Sequence, residues 1–429
     1  MSHGIESYRA KILPLRARAV VRNGWLKERL DTMLPEIMAR EGFDLWIVSA
    51  REYNEDPVIM SLLPEPAMSA RRRTILAFFR NAGGTVDRLT FDRYGHGDFY
   101  QAAWDPAREE QLACLARLVR ERDPKAIGLD FSDTFAFGDG LTHSEYQRLA
   151  AALGDELMAR VRSAERLALG WLERRTPAEL IVYPGLVEMG HALIADLYST
   201  HLVQPGITTT DDLVWWLRQT MHDLGLQAWF PPTVEIQSPG QGFDSPAGGA
   251  KGSQRKQILP GDLLHCDVGF YYLGLATDQQ QHAYILRPGE ADAPDGLKAA
   301  LAEGNRLQDI LGGAMLLGRT GNQVLEAALS QARAEGLNPC IYTHPIGYHG
   351  HAAGPTIGLW DRQEGVPGQG DYELFDHTCY AIELNVRKAL PEWGDQEVRI
   401  ALEEDAALVD GRFRWLSGRQ TRLHLVGAP

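Results

Sequence analysis

Gly261-Asp262-Leu263-Leu264-His265-Cys266-Asp267-Val268-Gly269-Phe270, continued by Tyr271-Tyr272-Leu273-Gly274-Leu275-Ala276-Thr277-Asp278, is the stretch on which the reading of the fold turns. Apolar runs on either side of a Tyr-Leu-Gly segment predict a β-hairpin that reverses around residues 272–274. With the turn centred between Tyr272 and Leu273, Asp267 and Asp278 face each other on one side, their Cβ atoms roughly 4.5–5.5 Å apart. Two carboxylates that close repel unless a cation lies between them or one is protonated. A metal is the simpler solution.

Further acids and histidines follow downstream. Thr343-His344-Pro345-Ile346-Gly347-Tyr348-His349-Gly350-His351 is rich in histidine, and its glycines imply irregular backbone close to something else. Ala381-Ile382-Glu383-Leu384-Asn385 and Ile400-Ala401-Leu402-Glu403-Glu404-Asp405 put acids directly after apolar residues in strand-like runs. A carboxylate in such a run needs a partner. Taken together the segments supply an Asp, Asp, His, Glu, Glu set.

In spacing and local context this set resembles the pita-bread metallopeptidase superfamily, which comprises aminopeptidase P, prolidase, methionine aminopeptidase and creatinase. The aspartates eleven residues apart after Gly-Asp-Leu, the His344-Pro345-Ile346-Gly347 stretch with His351 seven residues on, and the Ile-Glu pair at Glu383 carry the likeness. It covers roughly residues 170–429, including Thr176-Pro177-Ala178-Glu179-Leu180 and Pro231-Pro232-Thr233-Val234. Residues 1–165 resemble the creatinase-type N-terminal domain less specifically. The resemblance implies an α+β chain with a pita-bread catalytic domain over residues 166–429 and a smaller α/β creatinase-like domain over residues 1–165.

It further implies metal ligands Asp267, Asp278, His344, Glu383 and Glu403, with Glu404 as the alternative to Glu403. Glu403 is favoured because it follows the apolar Leu402 and because Arg399, at an even spacing, would share its strand face. His351 and Glu383 are the implied catalytic residues, the first binding substrate and the oxyanion, the second moving a proton. Two divalent ions are implied, Mn²⁺ before Co²⁺, Zn²⁺ or Fe²⁺, because the ligand set is hard. Their bridging hydroxide would hydrolyse the bond between an N-terminal residue and proline in a small peptide. A homodimer is implied as well.

One family residue is missing. The histidine expected 17 or 18 residues before the first aspartate falls on Gly249 or Ala250, and none lies between His222 and His265. That motivates an alternative, a non-peptidase C–N hydrolase or lyase of a small molecule on the same fold, and a weaker one, a pseudoenzyme that binds without turnover. His265 shares a strand face with Asp267, but it is read as structural, as are His282, His349 and His377. The glycine-rich residues 240–252 lack the strand-then-helix setting of a dinucleotide site and are read as a mobile loop beside the active site. A dipeptidase needs a cation for the free carboxylate, and Arg387 and Arg399 are available.

Working outward, the 429 residues are 44% hydrophobic and 23% charged, enough for two or three domains with substantial cores. The net charge of −14 argues against nucleic acid as partner. No window of roughly 18 uninterrupted apolar residues is present and the N-terminus has no apolar export region, so no membrane partner and a cytoplasmic location are expected. Cys114, Cys266, Cys340 and Cys379 are scattered, without zinc spacing, and are read as buried reduced thiols. The first third alternates helix and strand: helical spacing at Leu26, Leu30, Leu34 and Ile37, apolar runs at 43–48, 74–79 and 126–131, and a helix over 111–119. Residues 156–175 read as a charged helix before the Thr176-Pro177 helix start, with the domain boundary near 165. A faint duplication links Gly206-Ile207-Thr208 through Gly225-Leu226 with Gly318-Arg319-Thr320 through Gly336-Leu337.

Overall fold

The computed structural model describes residues 4–241 and 256–427. Most of the glycine-rich segment 240–252, with Gly249 and Ala250, therefore lies outside the described residues. The chain divides into one unit of Pro14–Ala178 and another of Met1–Leu13 with Glu179–Pro429.

The first unit is built on a mixed six-stranded sheet. Its strands are β1 (Leu45–Arg51), β2 (Arg73–Arg80), β3 (Val86–Thr90), β4 (Gln101–Ala102), β5 (Ile127–Leu129) and β6 (Val161–Ser163), in the order β4-β3-β2-β1-β5-β6. β1 runs antiparallel to β2 and parallel to β5. One face of the sheet, with Leu45, Ile47, Ile75, Ala77 and Phe79, packs on Cys114, Leu115 and Val119 of the helix Gln111–Arg122 and on Leu149 and Leu153 of the helix His143–Leu153. Residues 156–175 are not one helix: helices Asp155–Met158 and Glu165–Glu173 flank strand β6. The second of these is almost wholly buried, with Leu167, Leu169, Trp171 and Leu172 in the core, and Gly170 leaves room for Ile37. The burial of that helix carries the first unit past residue 165 to Ala178.

In the second unit the N-terminal segment is pinned by Ile5 N–H donating to Asp196 (2.7 Å) and Leu13 N–H to the Tyr272 hydroxyl (2.8 Å). The strands are β7 (Gln227–Ala228), β8 (Thr233–Gln237), β9 (Leu263–Val268), β10 (Phe270–Tyr272), β11 (Leu275–Ala276), β12 (Gln279–Ile285), β13 (Pro339–Ile341), β14 (His344–Ile346), β15 (Thr378–Ala381), β16 (Leu384–Leu390), β17 (Gln396–Leu402), β18 (Asp405–Val409), β19 (Arg412–Trp415) and β20 (His424–Val426). They form small sheets of order β11-β10-β7, β20-β12-β9-β8, β13-β16-β17 and β14-β15-β18-β19. Helices Asp295–Ala314 and Gly321–Ala334 bury Leu307, Leu311, Val324 and Leu325 in one core with Leu384, Val386, Ile400 and Leu402 of β16 and β17.

The duplication is visible in atomic detail. Helices Thr210–Asp223 and Gly321–Ala334 both have 14 residues, and both open with a capping box, Thr209 with Asp212 and Thr320 with Gln323. Each ends at a left-handed glycine, Gly225 (φ 69°) and Gly336 (φ 82°). The next N–H in each case returns to a helix carbonyl, Leu226 to Met221 and Leu337 to Ala332. Each is followed by a long hairpin that changes sheets part-way. β9 and β12 lie in one sheet and their continuations β10 and β11 in another; β16 and β17 continue likewise into β15 and β18. The helix Pro177–Leu197 is long and apolar enough by composition to cross a membrane, yet 56% of that stretch is buried inside the protein, as in a core helix.

Candidate metal centre

The acids sit where the strands change sheets. Asp278 lies in the break between β11 and β12, Glu383 between β15 and β16, and Glu403 and Glu404 between β17 and β18. Departing strands leave gaps in the ladders, and the breaks close them on one another. Gln280 and Glu403 exchange backbone hydrogen bonds (3.0 and 3.3 Å), Ile382 N–H donates to Glu404 O (3.0 Å) and Tyr342 N–H to Glu383 O (3.1 Å). Side chains from both halves therefore converge.

The hairpin register differs from the expected one. Tyr272 pairs with Leu275 and Asp267 with Gln280, so the two-residue turn is Leu273-Gly274, one position later than the sequence suggests. Asp267 and Asp278 still share a face, but as diagonal neighbours, and the residue directly opposite Asp267 is Gln280.

Around His344 the donors close in. Its Nδ1 lies 2.9 Å from the Pro345 carbonyl, an acceptor only, so Nδ1 carries the proton and Nε2 presents a lone pair. That Nε2 is 3.3 Å from Glu403 Oε1, 3.6 Å from Asp278 Oδ2 and 4.0 Å from Glu383 Oε2. Burial pulls the His344 imidazole down to about 4, leaving it neutral at ordinary pH. Burial is also the first cause that raises the carboxyls of Asp267, Asp278 and Glu383 well above their ordinary range, with the charge of Glu403 second in each case. Burial pushes Glu403 itself up to about 8, against hydrogen bonds from Gln280 and Asp278.

Four buried polar atoms of this group have no hydrogen-bond partner: Asp267 Oδ1, Asp278 Oδ1, His344 Nε2 and Glu403 Oε1. Buried acceptors without donors are costly, and four gathered together call for a cation. The three separations from His344 Nε2 all fall below about 4.2 Å, twice a metal–ligand bond of about 2.1 Å. Asp278, His344 and Glu403 by themselves form a mutually close trio able to hold an ion. The residues fit a divalent metal.

Glu404, next in sequence, points the other way. It is fully buried, lies 2.6 Å from His191 Nε2, and accepts from Gln281 Nε2 (2.7 Å) and Gln420 N–H (3.0 Å). His351 is exposed, with its ring edge-on to His344 (centroids 4.6 Å) and to Trp229 (5.2 Å). Gly269 and Gly350 are pressed on the Trp229 indole, where a Cβ would come within 2.3 and 2.2 Å. Arg399 is buried and pairs with Glu235 (3.1 Å), while Arg387 lies 3.8 Å from Glu397. His282 is held on both ring nitrogens by backbone, Leu264 O (3.0 Å) and Ala401 N–H (3.1 Å), a structural arrangement. His377 gathers instead with Asp376 and Asp410 nearer the surface. Cys114, Cys266 and Cys379 are buried free thiols, and Cys340 is partly buried.

Gln280, His265, Glu235 and Trp229 belong to the site without having been singled out as functional. One signal was present: Asp278-Gln279-Gln280-Gln281-His282 is a wholly polar run, and in the structure all five residues are buried. Such a strand has to be satisfying something.

No family model and no curated protein matches this chain. Solved structures do. The X-Pro aminopeptidase from Thermotoga maritima MSB8 superposes with a TM-score of 0.64 at 17% identity, covering 91% of this chain and 100% of that one. The Xaa-Pro dipeptidase from Bacillus anthracis gives 0.59 at 16%, covering 95% and 100%. The N-terminal domain of FACT complex subunit SPT16 from chickpea gives 0.58 at 12%, covering 94% and 99%. At such identities the likeness is one of fold: a pita-bread unit with a smaller creatinase-type α/β unit before it.

Proposed function

We propose that the chain is a divalent-metal-dependent peptidase that hydrolyses the bond between an N-terminal residue and a following proline. One observation carries the reading: Glu403 Oε1, Asp278 Oδ2 and Glu383 Oε2 lie within 4.0 Å of the unprotonated Nε2 of His344. The names of two solved structures of the same fold, an X-Pro aminopeptidase and an Xaa-Pro dipeptidase, support the substrate class.

Asp278, His344, Glu383 and Glu403, with Asp267 beside them, would hold the metal, and the oxygen-rich set suits Mn²⁺. Bound there, the metal lowers the pKa of water towards neutrality and polarises the scissile carbonyl. The protein's own groups do the rest. His344 stays neutral because burial disfavours its charged form, and its Nδ1–H donation to the Pro345 carbonyl leaves the Nε2 lone pair for the metal. Glu383 takes a proton from the attacking water and returns it to the leaving nitrogen. His351, on the open side, donates to the carbonyl oxygen as negative charge builds there. Trp229 backs His351, with Phe230 packed on it at 4.4 Å between centroids, and so sets the position of the His351 ring.

Replacing Glu383 by Ala is expected to remove both metal retention and cleavage of Xaa-Pro peptides, the latter by at least about 10²-fold. Unaltered turnover in that variant contradicts the reading.

A further inference from the structure

The two oxygens of each central glutamate face different ways. Glu403 Oε1 and Glu383 Oε2 turn toward His344, where with Asp278 Oδ2 they complete four donors around one point. Glu403 Oε2 and Glu383 Oε1 turn away and meet the same atom, Gln280 Nε2, at 2.9 and 2.6 Å. An amide NH₂ has two protons, and here both are used on carboxylates. The opposite orientation of the amide would set its oxygen against two acceptors, so chemistry dictates which end is which.

The other end of the amide is fixed as well. Gln280 Oε1 lies 3.0 Å from His265 Nε2, His265 Nδ1 lies 3.8 Å from Glu235 Oε2, and Glu235 is paired with Arg399 at 3.1 Å. These side chains stand in register across three strands, Glu235 opposite His265 and Asp267 opposite Gln280. Gln280 and His265 are buried, and the Gln280 backbone is tied to Glu403. The amide therefore has little freedom to withdraw.

We infer that Gln280 occupies the place of a second cation: its amide donates to the outward oxygens of Glu383 and Glu403, and the centre holds one tightly bound divalent ion rather than the pair the family resemblance implies. This rests on the proposed metal-dependent function and deepens it. Away from the His344 side only Asp267 Oδ1 and Asp278 Oδ1 remain without a hydrogen-bond partner among the described carboxylates of this centre, whereas the His344 side gathers four donor atoms, two of them, His344 Nε2 and Glu403 Oε1, unpartnered. His265 holds the amide in line through its Nε2.

The test is metal stoichiometry. Intact protein and the Gln280→Ala variant are loaded with Mn²⁺, desalted and assayed for bound metal, with electron paramagnetic resonance separating an isolated ion from an exchange-coupled pair. The expected result is about one equivalent and the isolated-ion signal for the parent, and about two equivalents with a coupled signal for Gln280→Ala. Two equivalents with a coupled signal in the parent overturns the inference and leaves the metallopeptidase reading standing. One equivalent in both proteins also overturns it, because Gln280 is then not what limits the count. No retained Mn²⁺ in the parent overturns both readings. If Gln280→Ala fails to fold, the parent's stoichiometry and signal decide against Gln280→Ser, which keeps a small polar group and clears the same space.

Discussion

Neighbouring glutamates should fail in opposite ways. Glu404 is fully buried against His191, Gln281 and the Gln420 N–H, so Glu404→Ala leaves a half-buried histidine and two buried donors without their acceptor. Breaking a buried pair in this manner costs about 3–5 kcal/mol. At roughly 2–4 °C per kcal/mol for a unit of this size, melting should fall by about 6–20 °C, with or without metal. Glu403→Ala removes one acceptor from Gln280, about 1 kcal/mol, but also removes the charge that raises the carboxyls of Asp267, Asp278 and Glu383. The two effects oppose, so in a chelator this variant should melt within about 4 °C of the parent. On adding Mn²⁺ at about 100 times its Kd the parent should gain about 2.7 kcal/mol, and Glu403→Ala should gain almost nothing. Thermal scans of the three proteins in EDTA and in Mn²⁺ check this. A large loss for Glu403→Ala in EDTA, or a Glu404→Ala protein indistinguishable from the parent, refutes the assignment of the two side chains.

Gly350→Ala should lower peptide turnover about tenfold or more while leaving metal content unchanged, because its Cβ would meet the Trp229 indole at 2.2 Å and displace the wall behind His351; kinetics paired with metal analysis reads both. Gly190→Ala, in the helix Pro177–Leu197, would ordinarily stabilise by about 1 kcal/mol, but the new Cβ would lie 1.6 Å from Gln279 Oε1. Its urea midpoint should fall instead, by the equivalent of about 1–3 kcal/mol. In the first unit, burial and then the charge of Asp56 raise the Asp130 carboxyl well above its ordinary range, outweighing its bond from Trp46. The folded protein thus keeps a proton that the unfolded chain has lost, and stability declines as pH rises from the unfolded value of about 3.8 through the raised folded one. Asp130→Asn does not titrate, so its melting advantage over the parent should widen between about pH 4 and pH 8; a constant difference counts against the shift.

Much of the candidate site was legible because Glu383 and Glu403 follow apolar runs where a carboxylate needs a partner, and because Asp267 and Asp278 fall on one face of a hairpin. The register was not. The hairpin turns at Leu273-Gly274, both with positive φ (55° and 81°), and such turns ordinarily advertise themselves by Asn-Gly or Asp-Gly. A leucine in the left-handed position hides the signal, and the one-residue displacement conceals that Gln280, not Asp278, stands opposite Asp267. The sequence likewise leaves Glu403 and Glu404 open, since both follow the same apolar run; what separates them is the break between β17 and β18, which sends one toward His344 and the other toward His191. In the first unit, β6 is only Val161-Arg162-Ser163 between two helices, too short and too polar to interrupt a helical reading. The Gly-x-Thr openings at Gly206-Ile207-Thr208 and Gly318-Arg319-Thr320 hint at the duplication, but the equivalent helix N-caps are Thr209 and Thr320, and the equivalence becomes plain only when the two sheet-changing hairpins are seen to follow them.

The most direct measurement is mass spectrometry of the products formed from a mixed peptide panel, with and without proline in the second position, by Mn²⁺-loaded protein and by its Glu383→Ala variant. Release of the N-terminal residue from Xaa-Pro peptides alone, absent in the variant, is the predicted result. Retained metal with no cleavage of any peptide would contradict the peptidase account and turn attention to small-molecule C–N bonds on the same fold.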